Sequence, residues 1–186
     1  MRPVVFSLGH STRTGPDLLE LLAAHGVRCL VDVRRFPASR RHPQFGRDRL
    51  ARSLAEAAVE YRHEPDLGGR REPSPRSPNT GLSDPALRAY ADHMAGQAFR
   101  EALQRLLGAA RETRVAVLCA EADPARCHRA LLADALELGG AEVVHILGPG
   151  RAEAHVRNPL ARLTDDGRLV YDRGAQLRLV SGGRSV

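Results

Sequence analysis

The run Val115-Ala-Val-Leu-Cys119 is short, apolar and rich in β-branched residues, and Asp123-Pro124 follows it as an N-cap with proline at the first helical position. A buried strand turning directly into a helix fits that pattern, and the helix is expected to reach about Leu138, where Gly139-Gly140 stops it. Cys119 and Glu121 then fall at the carboxyl end of a strand, and Cys127, His128 and Arg129 in the first turns of the next helix. In open α/β sheets that edge is where ligands bind.

The same alternation runs along the chain. Val4 to Leu8 reads as a strand and Thr14 to His25 as a helix, with Thr14 and Asp17 spaced as a capping box and Gly26 ending it. Cys29 to Val33 is a second strand, Arg47 to Ala58 a helix and Val59 to His63 a strand. Residues 64 to 83 are rich in proline and glycine and form a long loop of the kind that often acts as a lid or a binding segment. Asp84-Pro85 opens another helix, Gln97 to Arg111 is helical, and Glu142 to Leu147 supplies the last core strand. Asp166-Gly167, between apolar runs in Ala161 to Tyr171, marks a β-hairpin. The expected architecture is α/β: one domain with a doubly wound, mostly parallel sheet flanked by helices over 1-150, and a small C-terminal hairpin extension of that domain over 151-186.

With 186 residues and 42% hydrophobic content, the chain can bury one sizeable core. No apolar run approaches the roughly 18 residues of a membrane span, and Met1-Arg-Pro-Val-Val-Phe lacks the apolar segment of a secretory signal. A cytoplasmic location is expected, which three cysteines, too few and odd in number for a disulfide framework, also suit. All 28 basic residues are arginine, which excludes Schiff-base chemistry through a lysine. The net charge of +6 favours anionic partners, either a small molecule or nucleic acid, and does not choose between them. Oligomeric state is not legible.

Three predicted strand ends converge on one edge. They carry His10 and Ser11, then Asp32, Arg34 and Arg35, then Cys119 and Glu121. The segment Arg34 to Arg47 adds five arginines, His42, Phe36 and Phe45, with no carboxylate before Asp48. Arginines interleaved with aromatics suit phosphates with stacked bases.

Taken in order, Gly9-His10-Ser11-Thr12, Leu30-Val-Asp32-Val-Arg34, Pro43-Gln-Phe45, Leu67-Gly68-Gly69, Leu118-Cys119-Ala-Glu121 and Cys127-His128-Arg129 resemble the bacterial family catalogued as domain-of-unknown-function family 488, over roughly residues 3 to 148. The resemblance implies a compact single-domain α/β protein. It implies no reaction.

Several chemistries fit the Cys119 to Arg129 segment. A cysteine at a strand end before a helix is similar to the rhodanese and cysteine-phosphatase arrangement, so sulfur transfer through Cys119 is one reading. The six residues between Cys119 and Arg126 are one more than a phosphatase cradle takes. Cys119, Glu121, Cys127 and His128 are all possible zinc ligands. Adjacent residues on a helix diverge by about 100°, however, so Cys127 and His128 are not expected to share an ion. No metal and no cofactor is therefore expected. The leading reading is an enzyme with Glu121, Cys119 and His10 as catalytic groups on a nucleotide-like anion, held by Ser11, Asp32, Arg34, Arg35, Cys127, His128 and Arg129. The rival is a non-catalytic nucleic-acid or nucleotide-binding module in which Glu121 closes an ion pair with Arg34 or Arg129.

Overall fold

Strand β1 (Val4–Gly9) lies mid-sheet between β4 (Val115–Cys119) and β5 (Glu142–Gly148); β2 (Cys29–Asp32) and β3 (Glu60–His63) extend the sheet beyond β4. These five strands are parallel, and β6 (Arg151–Ala154) adds an antiparallel edge to β5. The computed structural model describes residues 2–38 and 41–173, so Arg40 and the last residues of the 151-186 extension lie outside the described residues.

Parallel strands covered on both faces must be apolar throughout, and the alternation of β1, β2, β4 and β5 sorts their residues into two cores. Val5, Val31, Val117 and Val143 face helices α3 (Pro85–Met94), α4 (Gln97–Glu112) and α5 (Arg129–Leu138), which contribute Tyr90, Phe99, Leu106, Leu132 and Leu136. Leu8, Leu30, Leu118 and Ile146 face α1 (Gly15–Ala24) and α2 (Arg47–Glu56), through Leu18, Leu22, Leu50 and Leu54. The sheet is thus doubly wound. The Thr14–Asp17 capping box is present, and Asp84 caps α3 through the amides of Ala86 and Leu87. No helix among the described residues is long and apolar enough to cross a membrane.

Strand β6 escaped the sequence reading because all four of its residues are exposed and show no apolar alternation. The hairpin is present, as β7 (Ala161–Leu163) and β8 (Leu169–Tyr171), with Gly167 at φ +77° in the turn. The long loop is held down rather than free. The Tyr90 hydroxyl donates to the Leu67 carbonyl, the Tyr171 amide donates to Asn79 Oδ1, and Ser77 and Asn79 both donate to Asp92. Leu67 and Asn79 are buried, so the loop is a fixed wall of the neighbouring cleft.

One local expectation is corrected. The helix expected to run on from Asp123 is interrupted. Asp123 caps a single 3-10 turn, Pro124–Arg126, after which Cys127 is extended (φ −132°, ψ 148°) and α5 begins beyond His128. The cap chemistry of Asp123-Pro124 is local, and one turn satisfies it. What sets the true helix start is Arg129, whose side chain is buried beneath the segment leaving β4.

Candidate active site

The register of the sheet brings the functional residues together. Gly9 pairs with Cys119 and Asp32 with Leu118, so the exits of β1, β2 and β4 are neighbours. Beyond the strands the His10 amide donates to the Cys119 carbonyl and the Ser11 amide to the Ala120 carbonyl, each at 2.9 Å, with Ser11 in the left-handed region at φ 46°. This close approach requires glycine at position 9, because a Cβ there would stand 1.7 Å from the Glu121 carbonyl oxygen.

Asp32 is fully buried and grips Arg34 twice, at 2.8 Å from Nε and 2.6 Å from Nη2. Tyr61 donates to the same carboxylate at 2.9 Å. Arg34 also donates to the Phe45 carbonyl and reaches His10 Nε2 at 3.3 Å. Burial works against the Arg34 charge, and the Asp32 carboxylate more than restores it. The His10 ring stacks on Phe45 at 4.3 Å, and burial holds its pKa down to about 4, so it is neutral. Its Nδ1 lies 3.1 Å from the Ser11 carbonyl, which assigns the proton to Nδ1 and leaves Nε2 to accept from Arg34.

Because Cys127 is extended rather than helical, its sulfur and the His128 ring turn to the same side, against the expectation that they would diverge. His128 Nδ1 lies 3.6 Å from Cys127 Sγ and 4.0 Å from Cys119 Sγ, and the three atoms are all within 4.8 Å of one another. Arg129 Nε stands 3.5 Å from Cys127 Sγ. The neighbouring Cys119 and, against the penalty of burial, His128 and Arg129 push the Cys127 thiol well down toward thiolate. Cys119 is pushed the opposite way, first by its neighbour Cys127 and then by its own burial.

Arg129 is 1% exposed. Its guanidinium donates to Ser7 Oγ and to the carbonyls of Glu121 and Ala122, and no carboxylate among the described residues forms an ion pair with it. A buried cation needs a compensating anion, and the group in reach is the Cys127 sulfur.

These groups line one cleft of about 640 Å³. Cys119, Cys127, His128, His10, Ser11 and Arg34 are all in its lining. The exposed Arg35, Arg41, Arg70 and Arg126 stand around it. A family model described as "Domain of unknown function DUF488" matches residues 16–136. The chain belongs to the DUF488 family. No curated protein and no solved structure matches it.

Within this DUF488 chain all ten residues singled out from the sequence lie at or beside the cleft, but not in equal roles. Glu121 lines the cleft and is exposed, its carboxylate accepting from the Asp123 amide at 3.3 Å; it pairs with neither Arg34 nor Arg129. Arg34 has its fork occupied by protein acceptors, and Asp32 is sealed behind it. Both frame the site. Sequence reasoning passed over two residues that fix His128. Tyr90 packs its ring 4.8 Å from the imidazole, and Gly69 leaves space beside Nδ1. The Leu67-Gly68-Gly69 motif was the available signal for the second; nothing local marked the first.

Proposed function

We propose that this DUF488 protein is an enzyme acting on a small anionic, nucleotide-like substrate, with its chemistry centred on the Cys127 thiolate. The observation that carries this reading is the buried Arg129 guanidinium, which finds no carboxylate among the described residues and sits against Cys127 Sγ. A thiolate, not a thiol, is the attacking group or metal ligand in cysteine chemistry. Cys127, rather than Cys119, is the better placed of the two for the thiolate, because Arg129 Nε and His128 Nδ1 approach its sulfur at 3.5 and 3.6 Å.

The surroundings suit an anion. Four exposed arginines, Arg35, Arg41, Arg70 and Arg126, offer planar forks for phosphate or carboxylate. Phe36 is 61% exposed, with the Arg35 guanidinium 5.4 Å from its ring centroid, a flat surface on which a base can stack. The volume lies within the roughly 300–1,000 Å³ typical of small-ligand sites. Glu121, exposed in the same cleft, is available to take a proton from a bound water or substrate.

The test is alkylation of chelator-treated protein across pH with neutral iodoacetamide and anionic iodoacetate. Cys127 should react as a thiolate well below the usual thiol range near 8.5, with the anionic reagent favoured and inorganic phosphate protecting. An ordinary pH profile, equal for the two reagents and unaffected by phosphate, overturns the reading.

The exposed Phe36 beside arginines also favours a second reading, a nucleic-acid-binding face. That reading requires affinity for oligonucleotides to fall steeply with salt, whereas one bound small anion loses little.

A further inference from the structure

Resting on the thiolate-centred reading, we infer that Cys119, Cys127 and His128 form a three-ligand site for a thiophilic transition-metal cation, Zn²⁺ in the first instance, with its fourth position open to the cleft. The inference specifies the work of the thiolate: it is a ligand rather than the attacking group.

Geometry is the first argument. Zinc binds thiolate sulfur at about 2.3 Å and imidazole nitrogen at about 2.0–2.1 Å, so donors on a tetrahedron stand about 3.6–3.8 Å apart. His128 Nδ1 is 3.6 Å from one sulfur and 4.0 Å from the other, and all three donors are within 4.8 Å of each other. Little movement is needed to close them on one ion. The break between the 3-10 turn and α5 is what allows adjacent residues to converge, since an uninterrupted helix would point them apart.

Two features outside the ligand set support the site. A Cβ at Gly69 would meet Nδ1 at 2.8 Å, so glycine keeps clear the space beside the donor atom. Arg129 Nε approaches Cys127 Sγ at 3.5 Å, the outer hydrogen bond that steadies a metal-bound thiolate.

The open position gives the proposal its functional content. Structural zinc sites have four protein ligands, whereas three ligands and a vacant position are the catalytic arrangement, in which a bound water is acidified to about pKa 7. Here the three donor residues line the same cleft as Glu121 and the arginines. An anion drawn in by the arginines meets either the cation itself or its bound water.

The experiment uses the full chain, stripped with chelator and titrated separately with Zn²⁺ and Co²⁺ salts. One ion should bind per chain, with proton release from the thiol pair. Co²⁺ should show sulfur-to-metal charge transfer and the visible absorption of tetrahedral coordination. Cys119→Ser, Cys127→Ser and His128→Gln should each weaken binding by more than about 100-fold, beyond the 10- to 100-fold that loss of a supporting hydrogen bond costs; Cys29→Ala should keep one ion. Thermal melts accompany each variant, and if a cysteine variant fails to fold, folded His128→Gln decides. Absence of the thiolate–Co²⁺ band, or its survival in His128→Gln at an affinity within tenfold, overturns the site. Thiolate absorbance in the stripped protein separates the two claims: a thiolate that forms at low pH without binding metal leaves Cys127 as a nucleophile, whereas no such thiolate ends the underlying reading as well.

Discussion

Gly69 stands directly against His128: a Cβ added at Gly69 would lie 2.8 Å from Nδ1 and 3.2 Å from Cγ of the imidazole. Tyr90, itself fully buried, packs against the same ring with centroids 4.8 Å apart. The imidazole is thus packed between named neighbours while its Nδ1 stands 3.6 and 4.0 Å from the two sulfurs. Gly69→Ala is expected to displace the ring, reduce the reactivity of Cys127 several-fold at neutral pH, and cost about 1–3 kcal/mol of stability as an overpacked site does. Alkylation rates and a denaturant melt measure both. A variant with wild-type Cys127 reactivity would show that His128 has no influence on that thiol.

Asp32 and Arg34 form a buried pair whose disruption should be costly. Replacing Asp32 by Asn leaves the Arg34 guanidinium without its counter-charge, and breaking such pairs costs about 3–5 kcal/mol. Glu60→Gln, which removes the exposed partner of Arg62, should change stability by no more than about 1 kcal/mol. Urea unfolding of the two variants checks the contrast; equal effects would contradict it.

Stability should fall as solutions become mildly acid. Burial lowers both His10 and His145 from 6.5 to about 4, so in the folded protein they stay neutral where the unfolded chain takes up protons. The stability they contribute is complete above 6.5 and is lost as pH falls toward 4, with a limit of about 3 kcal/mol per histidine. Between pH 6.5 and 5, where carboxylates contribute little, the free energy of unfolding should decline, and because burial also lowers His93, His145→Gln should reduce the slope by about a third to a half. A flat profile over that range rules the prediction out.

Glu121→Gln should leave the fold within about 0.5 kcal/mol of wild type, because the side chain is exposed and its amide form still accepts from Asp123. Removing one negative charge from the cleft should tighten inorganic phosphate by up to about fivefold, the equivalent of about 1 kcal/mol. Calorimetry of phosphate binding would settle this, and weaker binding to the variant would mean that Glu121 contacts the anion through a shared proton.

The sequence by itself determined the order of strands and helices, the caps at Thr14 and Asp84, the hairpin at Asp166-Gly167, and which residues gather at one sheet edge. These follow from periodicity and cap chemistry, which act within a few residues. It also placed Cys119, His10 and Asp32 at strand ends, because parallel α/β connections put successive strand ends on the same side. What it missed depends on contacts between distant segments. An exposed strand such as β6 carries no apolar signal and exists because β5 offers an unpaired edge. The start of α5 was misread because Asp123-Pro124 satisfies its own turn, after which Cys127 is extended and Arg129 is buried under the carbonyls of Glu121 and Ala122. That one break turns the neighbouring Cys127 and His128 side chains onto the same point. Tertiary structure alone decided that two sulfurs and an imidazole face each other, because the decisive interactions join β4, the Gly69 loop and α5 across the fold.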